Sequence, residues 1–181
     1  DRTPQKRGTF KLPPNTTIVS ADNHWSLAED IFYERFPAHL KDRAPRLLID
    51  ENKTPLWLVN GQNMLTSGVT RVFSTFESIA GSSSLAPRLK DLDEEGIDKE
   101  MTFPNALSQF YGFPDLEVRE WIFRIYNQHL AEMQAAAPGR FYGAGLIMYW
   151  DMERVRQSVA EVKALGLKTV VIPQNPKGAN G

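Results

Sequence analysis

RFYGAGLIMYWDMERVRQSVAEVKALGLKTVVIP, residues 140–173, decides the fold class. RFYGAGLIMY is an apolar run of strand length. Asp151 follows it in position to cap a helix, and Met152, Val155, Val159 and Val162 then recur at three- and four-residue spacing before Gly166. LKTVVIP is another short apolar run. Strand, helix, strand with tight connections predicts parallel strands joined by a right-handed crossover.

The same pattern extends upstream. Residues 115–137 form the longest helical pattern, with Val118, Ile122, Ile125, His129 and Met133 on one side and Pro138 and Gly139 ending it. KEMTFPN supplies a strand that stops at Pro104 and Asn105, and LAPRLKDLDEEG a helix that stops at Gly96. TIVSAD, 17–22, is the first buried strand. The expectation is α/β with four βα units on one parallel sheet. Between the first two strands lies an insertion, 25–83, far longer than the ~2–6 residues of an ordinary βα connection. It contains a helix-like EDIFYERFPAHL interrupted at Pro37, a hairpin in RLLIDENKTPLWLV turning at ENKT, and the loop-like AGSSS. It is expected to fold over the rim as a partial lid and to contribute a homo-oligomer contact. Residues 1–16 read as a polar, basic N-terminal arm.

Composition narrows the function classes. The chain has 181 residues, 41% hydrophobic and 24% charged, the balance of a globular domain. Its 21 Lys and Arg against 22 Asp and Glu leave a net charge of −1, which gives no electrostatic footprint for nucleic acid or an acidic membrane. The longest uncharged apolar run, FYGAGLIMYW at 141–150, is about half of the ~20 residues a membrane span needs. A soluble, cytoplasmic protein is expected. With no cysteine, disulfides, thiol nucleophiles and thiolate metal sites are all excluded. Any metal must be held by nitrogen and oxygen.

One stretch supplies such donors. In VSADNHWSLAED, 19–30, strand alternation puts Ser20, Asp22 and His24 on one face and Val19, Ala21 and Asn23 on the other. A carboxylate and an imidazole are normal ligands of zinc or manganese, so Asp22 and His24 are the candidate metal pair. The competing reading is a strand-end turn with a capping aspartate and a hydrogen-bonded core histidine. Of the other histidines, His39 reads as a surface or packing residue and His129 as a hydrogen-bonded, half-buried residue of the long helix. Trp25 either walls a pocket for an aromatic or unsaturated carboxylate or anchors the insertion. Asn105, Tyr149 and Gln174 follow successive strands and are the candidate substrate contacts, because barrel enzymes gather functional side chains at strand C-terminal ends. Trp150 and Asn175 share those positions. No glycine-rich phosphate loop is present, and the serines at 82–84 have no histidine base placed beside them.

VSADNHW…FPAHLKDRAPRL, LKDLDEEGIDKEMTFPN, YNQHLAEM, PGRFYGAGLI and LGLKTVVIP, in this order, resemble the amidohydrolase-related family, which includes the metal-dependent decarboxylases related to aminocarboxymuconate-semialdehyde decarboxylase. The resemblance covers nearly everything after the first fifteen residues. It implies a (β/α)8 barrel with one divalent ion, zinc or manganese, at the C-terminal rim and either non-oxidative decarboxylation or hydrolysis of a small substrate. Asp22-Asn23-His24 matches the acid-led form of the family's first ligand pair and favours the decarboxylase. The hydrolase would instead activate a bound water on an ester, amide or lactone. A catalytically silent relative with a binding or assembly role is the third reading. The other ligands and the catalytic acid or base follow later strands in the family and are not found in this chain. Since such a barrel needs about 250 residues, the chain reads as its N-terminal half, with the remaining half as partner and a small carboxylated or aromatic compound as substrate.

Overall fold

In the computed structural model, residues 12–27, 31–49, 51, 55–63 and 80–172 are described. β1 (Val19–Trp25), β5 (Lys99–Pro104), β6 (Phe141–Leu146) and β7 (Thr169–Val171) form a parallel sheet in the order β1-β5-β6-β7. The insertion carries α1 (Ile31–Arg35), a 3-10 segment (Ala38–Arg43) and a separate antiparallel sheet of β2 (Arg46–Ile49), β3 (Pro55–Val59) and β4 (Gln62–Asn63). α2 (Leu85–Glu95), α3 (Leu116–Ala136) and α4 (Met152–Ala164) connect the parallel strands. The expected α/β architecture and the 46–59 hairpin are present. β4 was not anticipated: Asn60 and Gly61 both take positive φ (50° and 73°), the two-residue turn that returns β3 onto it.

Capping and packing account for the helices. Asp115 accepts a hydrogen bond from the Val118 amide, and Asp151 from the amides of Glu153 and Arg154, which satisfies donors that each helix start leaves free. α2 ends where Gly96 enters the left-handed region (φ 73°). α3 buries Val118, Ile122, Phe123, Ile125, Tyr126 and Leu130. Each such aliphatic or phenylalanine side chain contributes about 1.5–3 kcal/mol as an upper bound. The expected stripe on α4 is only partly a core stripe. Val162 is buried, whereas Met152 and Val159 are 68% and 42% exposed.

The insertion is anchored from outside the sheet. Arg35 grips Glu132 of α3 through two hydrogen bonds of 2.7 and 2.9 Å, and Arg43 reaches Asp115 and Glu117 at 2.7 and 2.9 Å. Phe32, Phe36, Leu40 and Val59 join the main core. The first half of the insertion thus packs against the helix layer; of the rest of the 25–83 segment expected to act as a lid, residues 64–79 lie outside the described residues.

Two strand glycines fix how closely the layers approach. A Cβ at Gly143 would stand 2.7–3.0 Å from Leu130 side-chain atoms, and one at Gly145 would stand 3.2 Å from Asn127 Oδ1 and Val162. The odd-numbered residues of β6 therefore face α3 and α4. Gly143→Ala is expected to destabilise the fold by about 1–3 kcal/mol through overpacking, measured as a lower urea midpoint with unchanged slope.

Candidate metal centre at the strand ends

The sheet register decides which side chains meet at the site. Thr102 pairs with Gly143 and Glu100 with Phe141, so Glu100 and Thr102 share the helix-facing side of the sheet. Ser20 pairs with Glu100, but the next matched position is Asn23 with Thr102: three residues of β1 span two of β5. This is a β-bulge, and it reverses the strand's phase. Ser20, Asn23 and Trp25 lie on the helix side, and Asp22 and His24 on the inner side. The alternation expected from sequence, which grouped Ser20 with Asp22 and His24, is corrected by this one extra residue. Asp22 lies within the bulge, directly before Asn23, and His24 directly after Asn23, so the two still flank a helix-facing residue from the inner side.

Asp22 and His24 are exposed, and neither side chain forms a hydrogen bond or ion pair within the described structure. Among the described residues neither side chain caps a backbone amide or packs in the core. Their donor chemistry, one carboxylate and one imidazole, suits a borderline or hard divalent cation. They supply two ligands only: among the described residues no group of three His, Cys, Asp or Glu side chains could hold an ion.

Trp25 is wholly buried, edge-on to Phe141 at 5.1 Å and stacked on His129 at 6.0 Å between ring centroids. The expectation that it walls a substrate pocket is corrected. It anchors β1 in the helix layer, because the bulge sets the strand's phase so that Trp25 falls on the helix side and its neighbour His24 on the other. Asn105, at the end of β5, donates from Nδ2 to the Ser26 hydroxyl at 3.0 Å, and its amide reaches the Trp25 carbonyl. It ties together the two strand ends and remains half-buried at the rim. Tyr149 donates its hydroxyl to the Tyr111 carbonyl at 3.0 Å and packs on Tyr111 and Trp150. It stands in an aromatic cluster beyond β6. Asn105 and Tyr149 are thus on the same edge of the sheet as the metal pair, while Gln174 and Asn175 lie outside the described residues.

His39 is exposed, with Nε2 3.4 Å from Glu117 Oε1, as the sequence reading held. His129 differs from expectation: it is buried, yet neither ring nitrogen has a hydrogen-bond partner, and Glu132 Oε2 is 3.9 Å from Nδ1. Burial pushes its pKa down to about 4 from 6.5, with Glu132 opposing the shift and Arg35 adding to it. The folded protein therefore keeps His129 neutral at pH values where the unfolded chain has taken up a proton. The associated stability is present above about pH 6.5 and is lost as pH falls toward 4, by about 2 kcal/mol between pH 7 and 5. His129→Phe should flatten the urea midpoint across that interval.

Sequence reasoning passed over three buried polar residues that shape this end of the molecule. Asn127 on α3 both donates to the Leu146 carbonyl (2.9 Å) and accepts from the Leu146 amide (2.8 Å), completing the backbone where β6 leaves the sheet. Arg119 lies under Trp150, 4.0 Å from the ring, with one guanidinium nitrogen donating to the Tyr111 carbonyl. Glu100 is fully buried on β5 and paired with Arg88 of α2. A carboxylate at the second position of the strand KEMTFP was the one available signal.

No protein-family description matches the chain, and no curated protein sequence matches it. Solved structures do. An amidohydrolase from Mycobacterium avium subsp. paratuberculosis superposes with TM-score 0.68 at 17% identity, over 86% of this chain and 49% of its own. A 5-carboxyvanillate decarboxylase from Novosphingobium aromaticivorans, with bound manganese and 3-methoxy-4-hydroxy-5-nitrobenzoic acid, gives 0.59 at 18% over 90% and 43%. A 2,6-dihydroxybenzoate decarboxylase from Rhizobium gives 0.50 at 18% over 88% and 42%.

The fold is that of these amidohydrolase and decarboxylase structures. The chain spans less than half the length of each. The amidohydrolase-type fold expected from the motif order therefore stands, and so does the expectation that only part of such a fold is present. Among the described residues no helix is long and apolar enough to cross a membrane.

Proposed function

We propose that this chain is the metal-binding first half of a metal-dependent lyase that removes carboxylate, without oxidation, from a small aromatic or unsaturated acid. The observation that carries the reading is the Asp22 and His24 pair: two exposed metal-type donors with no side-chain partner among the described residues, on the inner side of β1. The names of two similar structures, both decarboxylases of hydroxylated aromatic acids, support the reaction class, and the manganese in one supports the ion.

Asp22 and His24 would hold the ion, which when bound supplies Lewis-acid chemistry toward a substrate carboxylate and an adjacent oxygen. The Asp22 carboxylate also offsets one unit of the ion's charge. Asn105 and Tyr149 flank the pair at the rim and contact the ring or its substituents. The proton that replaces CO2 on carbon comes from a side chain beyond this chain's four strands. The hydrolase reading is supported by the similarity to the amidohydrolase and uses the same two ligands.

The test loads the complete polypeptide with Mn2+ or Zn2+ and offers hydroxybenzoates beside esters and lactones of similar size. Release of CO2 with a decarboxylated product is expected. Turnover of only the esters or lactones would assign the hydrolase. Inertness toward both sets with a tightly held ion would remove the lyase proposal.

A further inference from the structure

The residue between the two proposed ligands is itself held. Asn23 lies on the helix side of β1 and donates from Nδ2 to Glu100 Oε2 at 2.7 Å. Glu100 has no exposed surface, and Arg88 of α2 donates to it from Nε at 3.1 and 2.8 Å and approaches Oε2 from a terminal nitrogen at 2.7 Å. Arg88 is fixed in turn by the Gly81 carbonyl at 3.3 Å. A buried carboxylate with this many charge-assisted bonds has little freedom to move.

Its position coincides with the bulge. Pairing is regular at Ser20 with Glu100 and regular again at Asn23 with Thr102; the extra residue lies between them. Without it, strand alternation from Ser20 would carry Asp22 and His24 to the helix side and Asn23 and Trp25 to the inner side. The bond from Asn23 to Glu100 is available only in the bulged phase, because Glu100 faces α2 and α3. A strand with two phases of similar backbone pairing is held in one by a buried polar contact that the other cannot make.

We infer that Asn23, Glu100 and Arg88 are positioning residues for the metal pair: they lock β1 in the phase that presents Asp22 and His24 together on the inner side. This deepens the metal-dependent reading and rests on it. These three residues touch neither ion nor substrate. They act through the strand they hold, much as groups behind metal ligands set ligand orientation elsewhere, where their loss costs about 10–100-fold in metal affinity.

The experiment titrates Co2+, as a spectroscopic probe, into the metal-free complete polypeptide and records visible absorption and thermal melts on the same samples. Asn23→Asp keeps the side chain's size but sets a second carboxylate against Glu100. It is expected to weaken Co2+ binding by at least about tenfold and to change the absorption bands. Combining Asn23→Asp with Glu100→Gln exchanges donor and acceptor while keeping the pair's charge, and affinity and bands are expected to return toward those of the parent. Parent-like affinity and bands in the single variant would overturn the inference. So would a folded double variant that stays weak, and this arm decides the matter if the single variant does not fold. Asp22→Asn and His24→Ala, run alongside, separate the layers. If they keep Co2+, the metal reading falls and this inference with it. If they lose it while the Asn23 variant does not, only the positioning role falls.

Discussion

Asp22→Asn and His24→Ala are each expected to abolish turnover and strip the ion from the complete protein while leaving its melting temperature nearly unchanged. Asn at 22 retains the size of the side chain but loses the negative charge that binds a divalent cation, and Ala at 24 removes a donor outright. Both native side chains are exposed and make no hydrogen bond or ion pair within the described structure, so the fold has little to lose. Metal content by elemental analysis, turnover and thermal melts on the same preparations give the result. A drop in stability of ~1 kcal/mol with full metal occupancy would instead identify a cap or packing role.

The chain of 181 residues by itself is expected to be inactive and aggregation-prone, and to regain activity when refolded with a polypeptide carrying the remaining strands. Among the described residues β1 and β7 each have a parallel neighbour on one side only. Val19 and Ile172 stand at those flanks 54% and 68% exposed, and Met152 and Val159 on α4 extend the apolar surface. Open edges beside exposed apolar side chains promote association with other chains. Among the described residues no group of three His, Cys, Asp or Glu side chains joins the inner-side pair. Size-exclusion chromatography and turnover, for the chain alone and after co-refolding, are the measurements. A monodisperse monomer of this chain with full turnover would refute the half-barrel account.

Much of this molecule is legible without coordinates because its signals are local. The cap Asp151, the stop at Gly96 and the three-and-four spacing of Val118, Ile122 and Ile125 act within a few residues, and each lies where sequence reasoning put it. The order of strands and helices then limits the topology, since successive parallel strands joined by helices pair in chain order. Asp22 and His24 were found because a two-residue spacing within one strand is a local property too.

What sequence could not supply is the phase of β1. Alternation alone grouped Ser20 with Asp22 and His24, whereas pairing with β5 inserts an extra residue and sends Ser20, Asn23 and Trp25 to the helices. That choice is made by partners 77 and more residues away: Glu100 for Asn23, Phe141 and His129 for Trp25. His129 shows the same limit, because its helical position foretold burial but only the packed neighbours decide that neither ring nitrogen is paired. By itself the sequence determined the elements, their order and the identity of the two candidate ligands, all consequences of backbone preference and apolar period. Tertiary structure alone decided which face those ligands occupy, since the face depends on side-chain contacts between strands and helices that no local pattern encodes.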